Sequence, residues 1–432
     1  MSDLTPQLLP ILQRSRLPGL DLPDSLHYPA YQLPSGAGLS IANLPAGVCR
    51  WLGVPELGLP ALDPLLLNRL GGEYQRVIVI LMDALALHRL QRWMSDGTAP
   101  VWQKLVDRGL LAPLTSISPS TTSAAITALW SGRPAAQHGV TGYEMWMREY
   151  GVVANTILHS PMSFRTGQVG SLEHAGFQPE TVLPFTTLGT HLKAHGVYTA
   201  AMQHYTIAHS GLSRMLFRDV DIHSFSTAAD LWTNARRLVE QHAAEKLYTW
   251  VYWGEVDHQS HVCGPDDERT AAEFNLFSYA LEKYFLERLP DALRQGTLLA
   301  LVADHGQINT RPDPHYDLSH HPGLTRRLHI QPTGENRLVY LHVRPGQMEA
   351  VREYVERTWP NQFLVLDPAY AMDAGLFGPG PLHPELYSRV GDLLLAALGD
   401  AYLWWGKDNI LLGRHGGLHP EEMLVPLVLS PL

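Results

Sequence analysis

Arg76 is followed by a run of apolar residues, Val77-Ile78-Val79-Ile80-Leu81-Met82, that stops at Asp83. Apolarity that is continuous over strand length, not alternating, predicts a strand buried on both faces, as in a parallel sheet covered by helices. Two similar runs follow. Residues 247–253 end near Glu255 and Asp257, and residues 298–303 end at Asp304. Helical patterns lie between them: 99–109 stops at Gly109 before an extended 110–116, and 187–195 stops at Gly196 before a strand at 197–202. Phe274, Phe277, Leu281, Tyr284 and Arg288 recur at helical spacing, a face suited to core packing. The alternation predicts an α/β fold, a doubly wound and mostly parallel sheet with helices on both faces. In such sheets sites form outside the carboxyl ends of the strands. Three apolar runs here end at or near an acid, Asp83, Asp257 and Asp304.

The rhythm is absent at 1–74, which is rich in Pro, Gly and Leu and reads as an N-terminal wrap of short helices and turns. It breaks again over 311–400, which holds HYDLSHHPGL, a strand-like 336–343, a helical 346–358 and a Pro/Gly-rich 367–384. This stretch reads as a cap or insertion on a catalytic core formed by 75–310 and 401–432. His315, His320 and His321 within it suggest a mobile polar lid.

A net charge of −10 argues against a basic nucleic-acid footprint, so no duplex partner is expected. It also disfavours adhesion to anionic membranes. An anionic substrate then needs local positive charge, and bound metal ions supply it. Cys49 and Cys263 are too few for a disulfide framework. The start lacks the features of a signal peptide, and no apolar run reaches the roughly 20 residues of a membrane span. The expectation is a soluble, cytoplasmic protein.

Five segments carry candidate chemistry. Asp83 closes a buried strand, where a carboxylate is costly unless paired or metal-bound; the other reading is a helix cap. Asp257 and His261, four residues apart, can converge on one ion, with Glu255 and His258 as rivals. Asp304 and His305 are adjacent at a strand end, where Gly306 lets the backbone turn. His415 precedes two glycines, and His419 is its rival. Carboxylate oxygen with imidazole nitrogen suits zinc, and also manganese. Finally, 122–131 suits a helix with Ser120, Thr121 and Thr122 at its start, where free N–H groups and the helix dipole favour a phosphate.

Together these segments resemble the alkaline phosphatase superfamily, most closely its type I phosphodiesterase and nucleotide pyrophosphatase branch. The order is similar: Asp at the first strand end, a Thr-bearing helix start, Asp-x3-His, Asp-His-Gly, then a late His-Gly. The resemblance spans 75–310 and 401–432. It implies two divalent metals, one on Asp257, His261 and His415, the other on Asp83, Asp304 and His305 with Thr122 bridging toward it. It also implies Thr122 as nucleophile, three residues after Pro119 and ten before Gly132, acting through a phospho-threonine intermediate. His138, in the His-Gly that follows, is structural in this reading. The substrate is then a small phosphate ester, with nucleotides among the candidates. Tyr143, Trp146 and Tyr205 are candidate pocket walls. A phosphomonoesterase, phosphonate hydrolase or phosphomutase would use the same site. A metal-stabilised signalling or binding module without turnover is the alternative of a different class.

Overall fold

The three apolar runs lie side by side at the centre of a seven-stranded sheet. The structure is a computed structural model that describes residues 2–163 and 168–432. In chain order the strands are β1 (Arg76–Met82), β2 (Leu110–Thr115), β3 (Val197–His204), β4 (Asp221–Phe225), β5 (Lys246–Trp253), β6 (Thr297–Val302) and β7 (Leu424–Pro431). Their order across the sheet is β2-β7-β6-β1-β5-β3-β4. β1 pairs in parallel with β5 and β6, and β3 with β5 and β4. β7 alone is antiparallel, wedged between β2 and β6. Every residue of β1 is buried, as an unbroken apolar run requires when helices cover both faces. The mostly parallel α/β sheet is therefore present.

Residues 1–74 form the short helices Thr5–Arg14, Leu44–Trp51 and Pro64–Leu67. Leu4, Leu8, Ile41 and Val48 from this segment pack into the same core as the central strands.

A second, antiparallel sheet stands beside the first. Four of its strands come from the expected insertion: Thr333–Gly334, Leu338–Leu341, Phe363–Leu366 and Leu393–Ala397. The other three, Glu144–Met147, Val152–Asn155 and Ser160–Pro161, come from much earlier in the chain. The two groups meet where Gly334 pairs with Glu144. A division at 311–400 therefore does not follow the sheet. Strands of two to five residues are too short to carry a periodic signal.

The histidines of HYDLSHHPGL have local work. The His321 ring bridges the Tyr354 hydroxyl and the His315 carbonyl and packs against Trp359. His320 Nδ1 donates to the Pro314 carbonyl. Among the described residues, no helix is long and apolar enough to cross a membrane.

His138, His159 and His342 are buried and held neutral. Burial, with Arg389 and His383 nearby, pushes His138 down to about 3. Burial likewise pushes His159 and His342 down to about 4. Between these values and 6.5 the unfolded chain takes up protons that the folded chain refuses. Stability is thus full above pH 6.5 and lost as pH falls toward 4. The melting temperature should fall steadily across that window; a flat profile would show that these rings ionise in place.

Candidate active site

Because β5, β1 and β6 are neighbours, the acids at their carboxyl ends are neighbours too. Asp83 follows β1 directly, and Asp304 lies two residues past β6. Asp257 and His261 sit one turn apart on the helix Glu255–Cys263 that follows β5. His305 is beside Asp304, where the chain turns under Gly306. A side chain at 306 would collide with the Glu421 carbonyl, so close approach of backbone demands this glycine. His415 enters on a separate loop. Gly416, at φ +103°, passes against the Glu335 side chain where a Cβ has no room.

Ligand atoms of Asp257, His261 and His415 lie within 4.8 Å of one another, and so do those of Asp83, Asp257 and His305. Asp304 Oδ2 is 3.5 Å from His305 Nε2. The His305 and His415 rings stack at 3.9 Å between centroids. The six carboxylates and imidazoles expected from the sequence thus lie in one place, with Asp257 between the two groups. The Asp83, Asp304 and His305 end is sealed; Asp257, His261 and His415 border a cavity.

The imidazole orientations are set by the backbone. Nδ1 of His261 faces the Gly413 carbonyl at 2.8 Å, that of His305 the Gly306 carbonyl at 3.0 Å, and that of His415 the Ser120 carbonyl at 3.2 Å. A carbonyl only accepts, so each Nδ1 carries the proton and each Nε2 presents a lone pair. Those lone pairs point at carboxylates: His261 to Asp257 Oδ1 at 3.3 Å, and His305 to Asp83 Oδ1 at 3.5 Å. Nitrogens and carboxylates facing one another across 3.3–3.5 Å can share a cation, either a proton or a metal ion.

The carboxylates carry the same signature. Asp83 Oδ1 and Asp304 Oδ2 are buried without a hydrogen-bond partner. Burial, then the neighbouring Asp304 and Asp257, hold the Asp83 carboxyl well above the usual range. Burial also raises Asp304. Burial would raise Asp257, but the neighbouring His261, His415 and His305 bring it down instead. Burial and the His305 charge push His415 well below its ordinary value. Two orphaned carboxylate oxygens and three inward lone pairs are the donor set a pair of divalent cations takes.

Thr122 is the first residue of the helix Thr122–Ser131, and Thr121 is its cap residue, in extended conformation. The Thr122 hydroxyl lies 3.4 Å from Asp83 Oδ2 and 3.1 Å from His305 Nε2. Thr121 instead bonds the Glu335 carboxyl. The rivals are placed elsewhere: His258 is exposed, and His419 Nδ1 accepts from the Glu421 N–H to cap a short helix.

The cavity has a volume of about 340 Å³ and is bordered by Thr122, Asp257, His261 and His415 on one side. Tyr143, Glu144, Glu335, Trp404 and Trp405 complete it. Trp146 lines a neighbouring groove, and Tyr205 is exposed against His204. Several residues here were not legible in the sequence. The Tyr252 hydroxyl donates to Asp83 Oδ2 at 2.5 Å, and the Gln307 amide donates to Asp257 Oδ1. Burial pushes Glu335 up to about 7. A phenol near the carboxyl end of β5, level with Leu81 of β1, was the available signal for Tyr252.

The sequence profile described as Type I phosphodiesterase / nucleotide pyrophosphatase matches residues 77–418. The chain belongs to this family, within the alkaline phosphatase superfamily. No curated protein sequence matches it. Solved structures with the same fold include murine ectonucleotide pyrophosphatase / phosphodiesterase 5, at 17% identity and TM-score 0.57, covering 81% of this chain and 87% of that one. An inactive form of that murine protein in complex with AMP matches equally. Phosphonoacetate hydrolase from Sinorhizobium meliloti, in complex with phosphonoformate, is similar at 16% identity and TM-score 0.58, covering 82% and 89%. At these identities the likeness speaks for the phosphodiesterase fold alone.

Proposed function

We propose that this chain is a two-metal phosphohydrolase, a phosphodiesterase of the nucleotide pyrophosphatase type that works through a phospho-threonine. The observation that carries the reading is a helix-terminal hydroxyl, Thr122, 3.1 Å from His305 and 3.4 Å from Asp83, among buried carboxylate oxygens with no partner. Asp257, His261 and His415 hold one divalent ion; Asp83, Asp304 and His305, with Thr122, hold the other. Two such ions, zinc or manganese for this donor set, supply positive charge to the phosphoryl oxygens and to the oxygens that attack and leave.

The chain's own groups do the rest. Thr122 Oγ1 attacks phosphorus, and the ester oxygen leaves with the alcohol. Water then breaks the bond to Thr122 and releases the phosphomonoester, so one difficult displacement becomes two easier ones. The N–H groups at the start of the ten-residue helix face the phosphoryl anion. Tyr252 fixes the Asp83 carboxylate, and Gln307 fixes Asp257.

The test compares p-nitrophenyl thymidine monophosphate with p-nitrophenyl phosphate and phosphonoacetate, using chelator-stripped protein reloaded with zinc or manganese. The diester should be cleaved at least about tenfold faster than the others, and loading should raise the melting temperature by mass action. Preference for the monoester or the phosphonate would move the protein to another activity on the same site. No cleavage with either metal would leave a binding module.

A further inference from the structure

Tyr143 shares the cavity with Thr122, and its hydroxyl sits in an asymmetric hydrogen bond. The Asn155 side-chain nitrogen donates to Tyr143 Oη at 2.6 Å. That direction is fixed from behind, because Asn155 Oδ1 accepts the N–H groups of Ile157 at 2.9 Å and Leu158 at 2.8 Å. The amide therefore cannot present its oxygen to the phenol. Asn155 is buried at 5% exposure, whereas Tyr143 is 39% exposed toward the cavity. The phenolic proton has no acceptor in the hydrogen bonds of the described residues, so it points into open space.

The other side-chain donors around the cavity are committed. Asn336 donates to the Leu403 carbonyl at 2.8 Å, and Trp405 donates to Glu144 Oε2 at 2.9 Å. Thr121 lies beside Glu335 and lowers its carboxyl. The Trp404 indole N–H is unpartnered but sealed from solvent. Among the described residues no Lys or Arg lines the cavity, and Glu144 and Glu335 give it carboxyl groups. Among the described side chains a phosphoryl group at Thr122 thus meets one free neutral donor on this wall.

We propose that Tyr143, oriented by Asn155, donates its phenolic hydrogen bond to a non-bridging phosphoryl oxygen of the substrate during attack by Thr122. This rests on the phosphohydrolase reading above. Charge gathers on those oxygens as the Thr122–phosphorus bond forms, and a donor already aimed there strengthens in the transition state. Tyr143 is then a catalytic residue and Asn155 a positioning residue. The Asn155 contribution is one of direction: it fills the phenol's acceptor side and so frees its proton.

The experiment uses full-length, metal-loaded protein and three variants: Tyr143→Phe, Asn155→Asp and the double substitution. Asn155→Asp keeps an oxygen for Ile157 and Leu158 but replaces the donor with an acceptor, which draws the phenolic proton away from the cavity. Each single variant should lower kcat/KM for p-nitrophenyl thymidine monophosphate by about 100-fold, mostly in kcat. Inhibition by vanadate should weaken in proportion, and the double variant should fall no further, since one hydrogen is lost in each case. Metal content and circular dichroism should match the parent, separating this from structural damage. Tyr143→Phe within threefold of the parent, with unchanged vanadate inhibition, overturns the proposal. So does a loss in Asn155→Asp that adds to that of Tyr143→Phe. If the parent cleaves no ester, the phosphohydrolase reading fails first. Calorimetric binding of inorganic phosphate then decides Tyr143: about tenfold weaker binding in Tyr143→Phe supports the contact, and equal binding removes it.

Discussion

Thr122→Ala should abolish turnover, with a fall of about three orders of magnitude or more in kcat, while metal content stays near that of the parent. The expectation is sharp because the hydroxyl does no work for the fold. Thr121 is the helix cap residue, and it is the Thr121 carbonyl that accepts the Ala125 N–H at 2.9 Å. Alanine at 122 keeps the helix start and removes the hydroxyl near Asp83 and His305 together with the γ-methyl. Thr122→Ser should recover a measurable part of the rate, since the oxygen returns without its methyl group. Acid quenching with substrate labelled in the retained ester should trap that phosphoryl ester on the parent and on Thr122→Ser, and none on Thr122→Ala. A fully active Thr122→Ala would remove Thr122 from the nucleophile's role and transfer attention to Thr121.

The second large effect lies at a distance from any phosphate. Glu422 is fully buried and receives Arg337 through Nε at 2.8 Å and Nη2 at 3.0 Å. Its other acceptor positions take the N–H groups of Gly417 at 2.9 Å and His419 at 3.2 Å. Arg337 in turn holds the carbonyls of Ala401 and Gly399. One carboxylate therefore pins the loop that carries His415 and ties the second sheet to β7. Glu422→Ala leaves a buried guanidinium and two loop donors unpaired, at a cost of about 3–5 kcal/mol. Urea denaturation should show that loss. Metal affinity should also fall about 10–100-fold, as when groups supporting a ligand are removed. A double replacement, Arg337→Met with Glu422→Leu, should recover much of the stability but not the metal affinity, because the loop N–H groups remain unserved. Recovery of both would show that the clamp does not position His415.

Reading the sequence located what local pattern encodes. β1, β5 and β6 were visible as unbroken apolar runs, and each acid at their ends was visible as the point where apolarity stops. The helix 122–131 announced itself through its Ser/Thr start and its left-handed terminal Gly132. Long-range pairing left no such trace. Nothing near Glu144 indicates that it pairs with Gly334, nor near Arg337 that it meets Glu422. Gly306 was read as a turn residue for conformational freedom, whereas its requirement is space against the Glu421 backbone. The histidines at 315, 320 and 321 looked like a lid because sequence shows their polarity but not the Trp359 and Tyr354 rings that enclose His321.

The second sheet borrows strands from two distant stretches of chain, and this separates two kinds of inheritance. The carboxylates and imidazoles that gather positive charge ride on the strand ends of the first sheet and on one glycine loop. Tyr143, Glu144 and Glu335, by contrast, belong to or directly adjoin the second. Drift in those short strands can reshape the ester-facing wall while the reactive apparatus stays untouched. An engineer seeking a new substrate for this scaffold should therefore randomise 144–146 together with 335–336, and leave Tyr143 and the ends of β1, β5 and β6 alone.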